Sequence, residues 1–259
     1  MAVALGFAAT AAPVAAQQTD DFCPARPGQT TPPCVVAAGG VIVETALATL
    51  VHEQAAGSRT RQLVVADTVV RLGLAHHVEA EVGWAPATYQ TVTAPAQGGR
   101  TRTHGASDTH LGIIVGPTGN DGRAAFEAGL TLPTGHAPIG AQTWSAETRL
   151  PLALPPVHHL ALALTPEVDA TPNDDGAGHH ASVGAAGGVA MPLSTSLQVD
   201  ADVAVFTDLL RAHHATARTA GLALAWHAQA RTQFDVGATV ALSHREPEFQ
   251  IYAGLAHAF

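Results

Sequence analysis

The chain has 259 residues, 47% of them hydrophobic, a formal net charge of −9, and twelve basic residues, all of them arginine. With no basic cluster along the sequence, nucleic acid is excluded as a partner, because its binding rests on neutralising phosphates. Outside the extreme N-terminus no uncharged apolar run reaches the roughly 18 residues a membrane helix needs, so any membrane crossing must be made by strands.

The N-terminus reads as an export signal. Val3 to Val14 is apolar, and Val14-Ala15-Ala16 forms a small-x-small cleavage site before Gln17, which assigns residues 1–16 to a signal peptide. No Lys or Arg precedes the apolar stretch, as it would if the true start lay further upstream. Residues 17–39 form a Pro-rich leader expected in the periplasm. Its Cys23 and Cys34, in FCPARPGQTTPPC, have a spacing that a disulfide can close in an oxidising compartment; the alternative is two free thiols in a floppy leader.

From residue 40 onward the chain divides into segments of alternating character at 40–52, 61–73, 76–86, 105–116, 122–132, 143–153, 157–168, 179–191, 195–207, 214–226, 230–243 and 247–259. The breaks alternate in length. Those at Gly73 to Ala75, Gly116 to Asp121, Pro155-Pro156, Pro192 to Ser194 and His227 to Gln229 are short, whereas Pro86 to His104, Pro133 to Thr143 and Asp169 to Gly178 are long. Short periplasmic turns and longer extracellular loops on about twelve antiparallel strands predict an all-β transmembrane barrel over 40–259 in the bacterial outer membrane.

Parity sorts the side chains, since successive residues of a strand face opposite sides. In 195–207, Leu197, Val199, Ala201, Val203 and Val205 oppose Gln198, Asp200 and Asp202. In 76–86, Val78, Ala80, Val82 and Trp84 oppose Glu79 and Glu81, and in 230–243, Phe234, Val236, Ala238 and Val240 oppose Arg231, Gln233 and Asp235. The chain stops on Phe259 after apolar residues at every second position. With Tyr252 and Leu255, that terminal Phe looks like the sorting signal read by the barrel-assembly machinery.

Four stretches carry a family resemblance. ARPGQTTPPCVVAAGGVIVETALATL opens with an Arg-Pro pair, a Thr/Pro stretch and a first strand containing Glu44. AFEAGLTLPTG at 125–135 ends in Leu-Pro-Thr-Gly before a long loop. GASDTHLGIIV has the Gly, Asp and Leu-Gly pattern of the preceding strand, and GLALAWHAQARTQFDVGATVALSHREPEFQIYAGLAHAF supplies closing hairpins. Together they resemble the outer-membrane transporter-like proteins named for the meta-pathway of phenol degradation. The resemblance implies a transporter linked to aromatic compounds and carries over no catalytic residue.

The inward face is expected to collect Glu44, Asp67, Glu79, Glu81, Asp108, Glu127, Glu147, Glu167, Asp169, Asp200, Asp202 and Asp235, with Arg71, Arg149 and Arg231 as the offsetting cations. Such a lumen favours cations or neutral solutes; alternatively these groups pair across a closed, side-chain-filled interior. The histidine pairs His76-His77, His158-His159, His179-His180 and His213-His214 lie at or near predicted turns. Adjacent strand residues point oppositely and cannot serve one ion, so no metal and no cofactor are assigned. Ser107, Asp108 and His110 are the nearest local set for a barrel-borne lipid hydrolase, but Ser107 falls on the opposite face from the other two. The expected function is passive passage of small solutes, aromatic or hydrophobic compounds among them, with outer-membrane lipid and the solute as partners and access restricted by loops 86–104 and 169–178. The alternative is a plugged structural or adhesive barrel without flux.

Overall fold

Alternation with a period of two makes every regular element of the described chain a β-strand. The computed structural model describes residues 22–259 apart from 56, 95–97, 119–121, 174–176, 210–213 and 244–247. The signal stretch 1–16 and His213 thus lie outside the described residues. In chain order the strands are β1 (Val41–Ala55), β2 (Ser58–Ala75), β3 (Val78–Trp84), β4 (Ala87–Ala94), β5 (Gly99–Gly105), β6 (Thr109–Val115), β7 (Phe126–Leu132) and β8 (Ser145–Arg149). They continue with β9 (Leu152–Val157), β10 (Leu160–Pro172), β11 (His179–Pro192), β12 (Leu197–Leu209), β13 (His214–Gln229), β14 (Thr232–Ala241) and β15 (Phe249–Ala258).

These fifteen pieces build twelve staves. β3 and β4 both pair with β2 and are one stave broken at Ala85-Pro86; β8 and β9 both pair with β10 and are broken at Leu150-Pro151. At each break a proline removes a ladder donor. β5 and β6 continue one another around Ala106–Asp108, pairing with β4 and β3. β1 pairs with both β2 and β15, so the ring of staves closes, the condition for a sheet to sit in lipid, while β5 at the extracellular end pairs with β4 alone among the described residues.

Twelve staves agree with the sequence reading, but 86–104 differs from it. The segment expected as a long loop is the hairpin β4–β5, paired to the extracellular end of β2 from Arg59 to Val65. TYQTVT and RTRTH alternate well enough to be strands, yet Pro86 and the Gly-Gly before Arg100 read as loop punctuation.

Parity also breaks on two neighbouring strands: on β2, Ala66 with a φ of 54° separates inward Arg71 from outward Leu63, and β1 breaks beside it. In β1 an extra residue lies opposite β15 between Ala46 and Ala48, a bulge that exchanges the faces of the strand. Glu44 and Ala46 are buried below it and Thr49 above it, while Leu47 and Leu50 face outward. Elsewhere the outer wall carries Leu74, Ile113, Val203, Leu222, Val236 and Ile251, all exposed, as a lipid-facing surface requires.

The leader does not lie beside the barrel. Gly39 donates to the Gly73 carbonyl, Gly73 donates to that of Gly40, and Val35 donates to that of Pro117, which turns residues 22–36 inward at the periplasmic end. Phe22 and Val36 pack on Ile42 and Ala256, and Val35 on Ile114 and Ala125. Cys23 and Cys34 are bonded and buried. A side chain at Gly73 would overlap the Ala37 carbonyl. Gly73→Ala is therefore expected to loosen this hinge without opening the barrel, seen as new protease cleavage within 22–40 of a protein that keeps its heat-dependent gel shift. Unchanged cleavage would show that the leader is fixed elsewhere.

Candidate functional site in the barrel lumen

Inward parity and register bring most of the lumen-facing charges into two groups. In the first, Arg71 and Glu81 are cross-strand neighbours, with Glu79 one inward step below on β3 and Glu44 on β1. The Arg71 guanidinium, 1% exposed, lies 2.9 Å from Glu44, 2.6 Å from Glu79 and 3.1 Å from Glu81. It also donates to the carbonyls of Cys23 and Cys34, so both ends of the disulfide loop meet at one cation. Burying these charges is tolerable because each carboxylate shares that cation and two also accept backbone donors: Val36 N–H bonds Glu79, and the Ala25 and Arg26 N–H groups bond Glu44.

In the second group Arg149 of β8 lies between Glu127 of β7 and Glu167 of β10, its direct neighbours in register. It reaches Glu127 and Glu147 at 3.0 Å and Glu167 at 3.1 Å, and His110 lies 4.0 Å from Glu147. Asp169 sits opposite Glu147 in register. Glu147, Glu167 and Asp169 can bring one oxygen each within 4.8 Å of one another, making them the described residues best able to hold a cation. Arg149 already pairs with two of them, Glu147 and Glu167.

The disulfide loop crosses the lumen between these groups and the far wall. Arg26 pairs with Asp235 of β14 at 2.7 Å and lies over the Tyr252 ring of β15, while its carbonyl accepts from Gln233. Gly28 N–H donates to the Tyr252 hydroxyl, Gln29 bonds Asp202 of β12 and Thr219 of β13, and Thr31 N–H donates to Thr165 of β10. Gly28 takes a φ of 102°, a conformation glycine adopts without strain. The loop thus touches the wall on opposite sides and spans the periplasmic part of the lumen. Beside it lies a cavity of about 370 Å³ lined by Arg26 and Thr31 of the loop together with members of both charge groups.

Several residues singled out in the sequence have other settings. Asp67 lines the cavity with its side chain open to the lumen. Asp108 accepts from Gly135 and Ala141 N–H and so ties down the extracellular segment 133–144. Asp200 accepts from Gln198. Arg231 is exposed in the β13–β14 turn, and the cation facing Asp235 is Arg26 of the leader. Leu255 and Phe259 share the outward parity of β15, whereas Tyr252 points into the lumen. Ser107 accepts from Ala85 N–H and donates to the Asp108 carbonyl, and His110 turns toward Glu147. His179 stacks on Trp144 and His180 bonds Asn173, consistent with opposite faces for adjacent residues. The leader's contributions were missed because parity says nothing about a segment without strands. Asp202 and Asp235, inward acids with no inward-facing arginine on neighbouring strands, Arg218 of β13 pointing outward beside Val205, were the signal of a partner from outside the wall.

The fold is similar to the crystal structure of an outer membrane channel from Pseudomonas putida F1, with a TM-score of 0.68 and 16% identity over 90% of this chain and 99% of that one. It is also similar to the translocator domain of the autotransporter NalP from Neisseria meningitidis, with a TM-score of 0.59 and 12% identity over 86% and 89% of the two chains. A third similar fold is the beta domain of the Bordetella autotransporter BrkA, with a TM-score of 0.56 and 15% identity over 86% and 100%. No protein of curated function matches the sequence. The family model described as "Putative MetA-pathway of phenol degradation" matches residues 25–259, and the chain, a twelve-stave outer-membrane β-barrel, belongs to that family.

Proposed function

We propose that the protein is an outer-membrane channel for small solutes, aromatic or hydrophobic compounds among them, in which the leader loop 22–36 sets the width of the path. The observation that carries this reading is how the loop is held. Apolar packing and the disulfide fix its base, but its tip from Ala25 to Thr31 is held by polar contacts to the wall. Polar contacts in an aqueous lumen exchange with water at small net cost, so the tip is the part of the plug able to move. The family's description supplies the link to aromatic solutes.

The cavity wall also sets an ionic preference. Glu44, Asp67, Glu81, Glu127 and Glu147 line it against Arg26, Arg71 and Arg149. An excess of fixed negative charge around a narrow aqueous path concentrates cations. In planar bilayers the refolded protein is expected to give small discrete steps whose reversal potential in a salt gradient has the sign of cation preference. Anion preference would overturn the acidic-lumen reading. Correct insertion with neither steps nor uptake of an aromatic solute panel into liposomes would favour the structural barrel without flux.

A further inference from the structure

The outer wall carries one charged surface that solute passage does not use. On the extracellular extension of β2, β4 and β5, Arg59 pairs in register with Thr93 and Thr93 with Arg100; one inward-and-outward repeat lower, Arg61 pairs with Thr91 and Thr91 with Arg102. Residues paired across strands, and residues two apart along one strand, project from the same face. All four arginines therefore stand on one face, in an array of about 10 by 7 Å at ordinary sheet spacing. They are a third of the chain's twelve arginines, all four are exposed, and among the described residues none forms an ion pair. Glu53 pairs with Thr60, on the opposite face, and Glu248 is engaged by His52 at 3.2 Å on the β1 side.

The face is the outer one, because the next row down is Leu50, Leu63 and Tyr89, joined in register, with Phe249 beside them. Leu50 is 52% and Tyr89 53% exposed. From Leu74 at the periplasmic end to Leu63, the outward positions of β2 span about 26 Å at usual rise and tilt, the height of the apolar band of such barrels. The arginines stand immediately above that band. Two grooves run along this face, an upper one of about 380 Å³ lined by Arg59, Arg61 and Arg100 and a lower one of about 430 Å³ lined by Leu50, Leu63, Tyr89 and Phe249. They share Arg61 and Thr91.

We propose that this face binds the phosphorylated headgroup of a lipopolysaccharide of the outer leaflet, with the arginines on its phosphates and the lower groove on an acyl chain. Guanidinium groups bind phosphate oxygens through paired, charge-assisted hydrogen bonds. An anionic group at the interface with an apolar chain directly beneath it is the geometry of a membrane lipid; a free anion uses the upper groove alone. The face lies apart from the lumen, so the site neither requires nor supports the channel reading.

Native mass spectrometry of the full mature protein in mild detergent tests this with bisphosphorylated lipid A as the probe. Lipid A is expected to be retained, to be lost on removal of its phosphates, and to resist displacement by millimolar inorganic phosphate. The Arg61→Gln/Arg102→Gln variant is expected to weaken retention by about tenfold or more, as loss of charge-assisted contacts implies, with its heat-dependent gel shift intact. Equal retention of dephosphorylated lipid A, ready displacement by inorganic phosphate, or an unchanged variant would each overturn the proposal. Should that variant not fold, Arg100→Gln/Arg102→Gln on β5 replaces it, and the comparison of lipid A with and without phosphate on the wild-type protein needs no variant.

Discussion

Replacing Arg71 by alanine is expected to destabilise the folded barrel by about 3–5 kcal/mol, the range for breaking a buried pair by removing one partner. Glu44, Glu79 and Glu81 all lie within 3.1 Å of this one guanidinium, and all are buried. Without it three carboxylates face one another in a site with little water. The loss has a second consequence, because the same guanidinium holds the carbonyls of Cys23 and Cys34. The leader should therefore become protease-sensitive in Arg71→Ala at denaturant concentrations where the barrel is still folded. Arg71→Lys should fall between the two, since an ammonium keeps the charge but cannot reproduce the planar fork that meets Glu79 through two nitrogens. Urea unfolding followed by tryptophan fluorescence and by the gel shift reads both effects. A loss under about 1 kcal/mol for Arg71→Ala would mean that the carboxylates are solvated or protonated, and that the cluster does not fix the leader.

The second large effect is expected from the disulfide. Cys23 and Cys34 close a loop with a sequence separation of 11, and in the chain-entropy picture such a bond withholds about 3 kcal/mol of freedom from the opened loop. If channel opening requires the tip to leave the wall, Cys23→Ser/Cys34→Ser should raise the open population by up to about a hundredfold, which is that energy converted at 1.4 kcal/mol per decade. Single-channel recordings of the double variant would then show longer or larger openings than the wild type, while the gel shift reports an unchanged wall. Reductant on the wild type should act slowly, because both cysteines are buried. Openings identical to the wild type would show that the loop does not limit the path and that the plug is permanent.

Much of the wall was legible because a barrel in lipid obeys a local rule. Each strand must present apolar groups outward and tolerate polar ones inward, so Glu79, Glu81, Asp202 and Asp235 could be assigned to the lumen from neighbours two residues away. The rule failed where the backbone breaks its period, and the bulge between Ala46 and Ala48 is its clearest case. An extra residue leaves no mark on composition, and only pairing with β15 reveals that Thr49 and Glu44 face the same way. The hairpin β4–β5 shows the converse, since its sequence suited strands but its punctuation suited a loop; pairing to the long extension of β2 decided it.

By itself the sequence determined the number of staves, the two faces and the membrane, because these follow from a two-residue period, turn chemistry and the demand of lipid for a closed sheet. Only the tertiary structure decided what occupies the lumen and what stands at the membrane surface. Arg26 meets Asp235 across 209 positions, and Arg59 meets Arg100 through an intervening strand. Such meetings depend on barrel closure and register, which join residues that no local pattern connects.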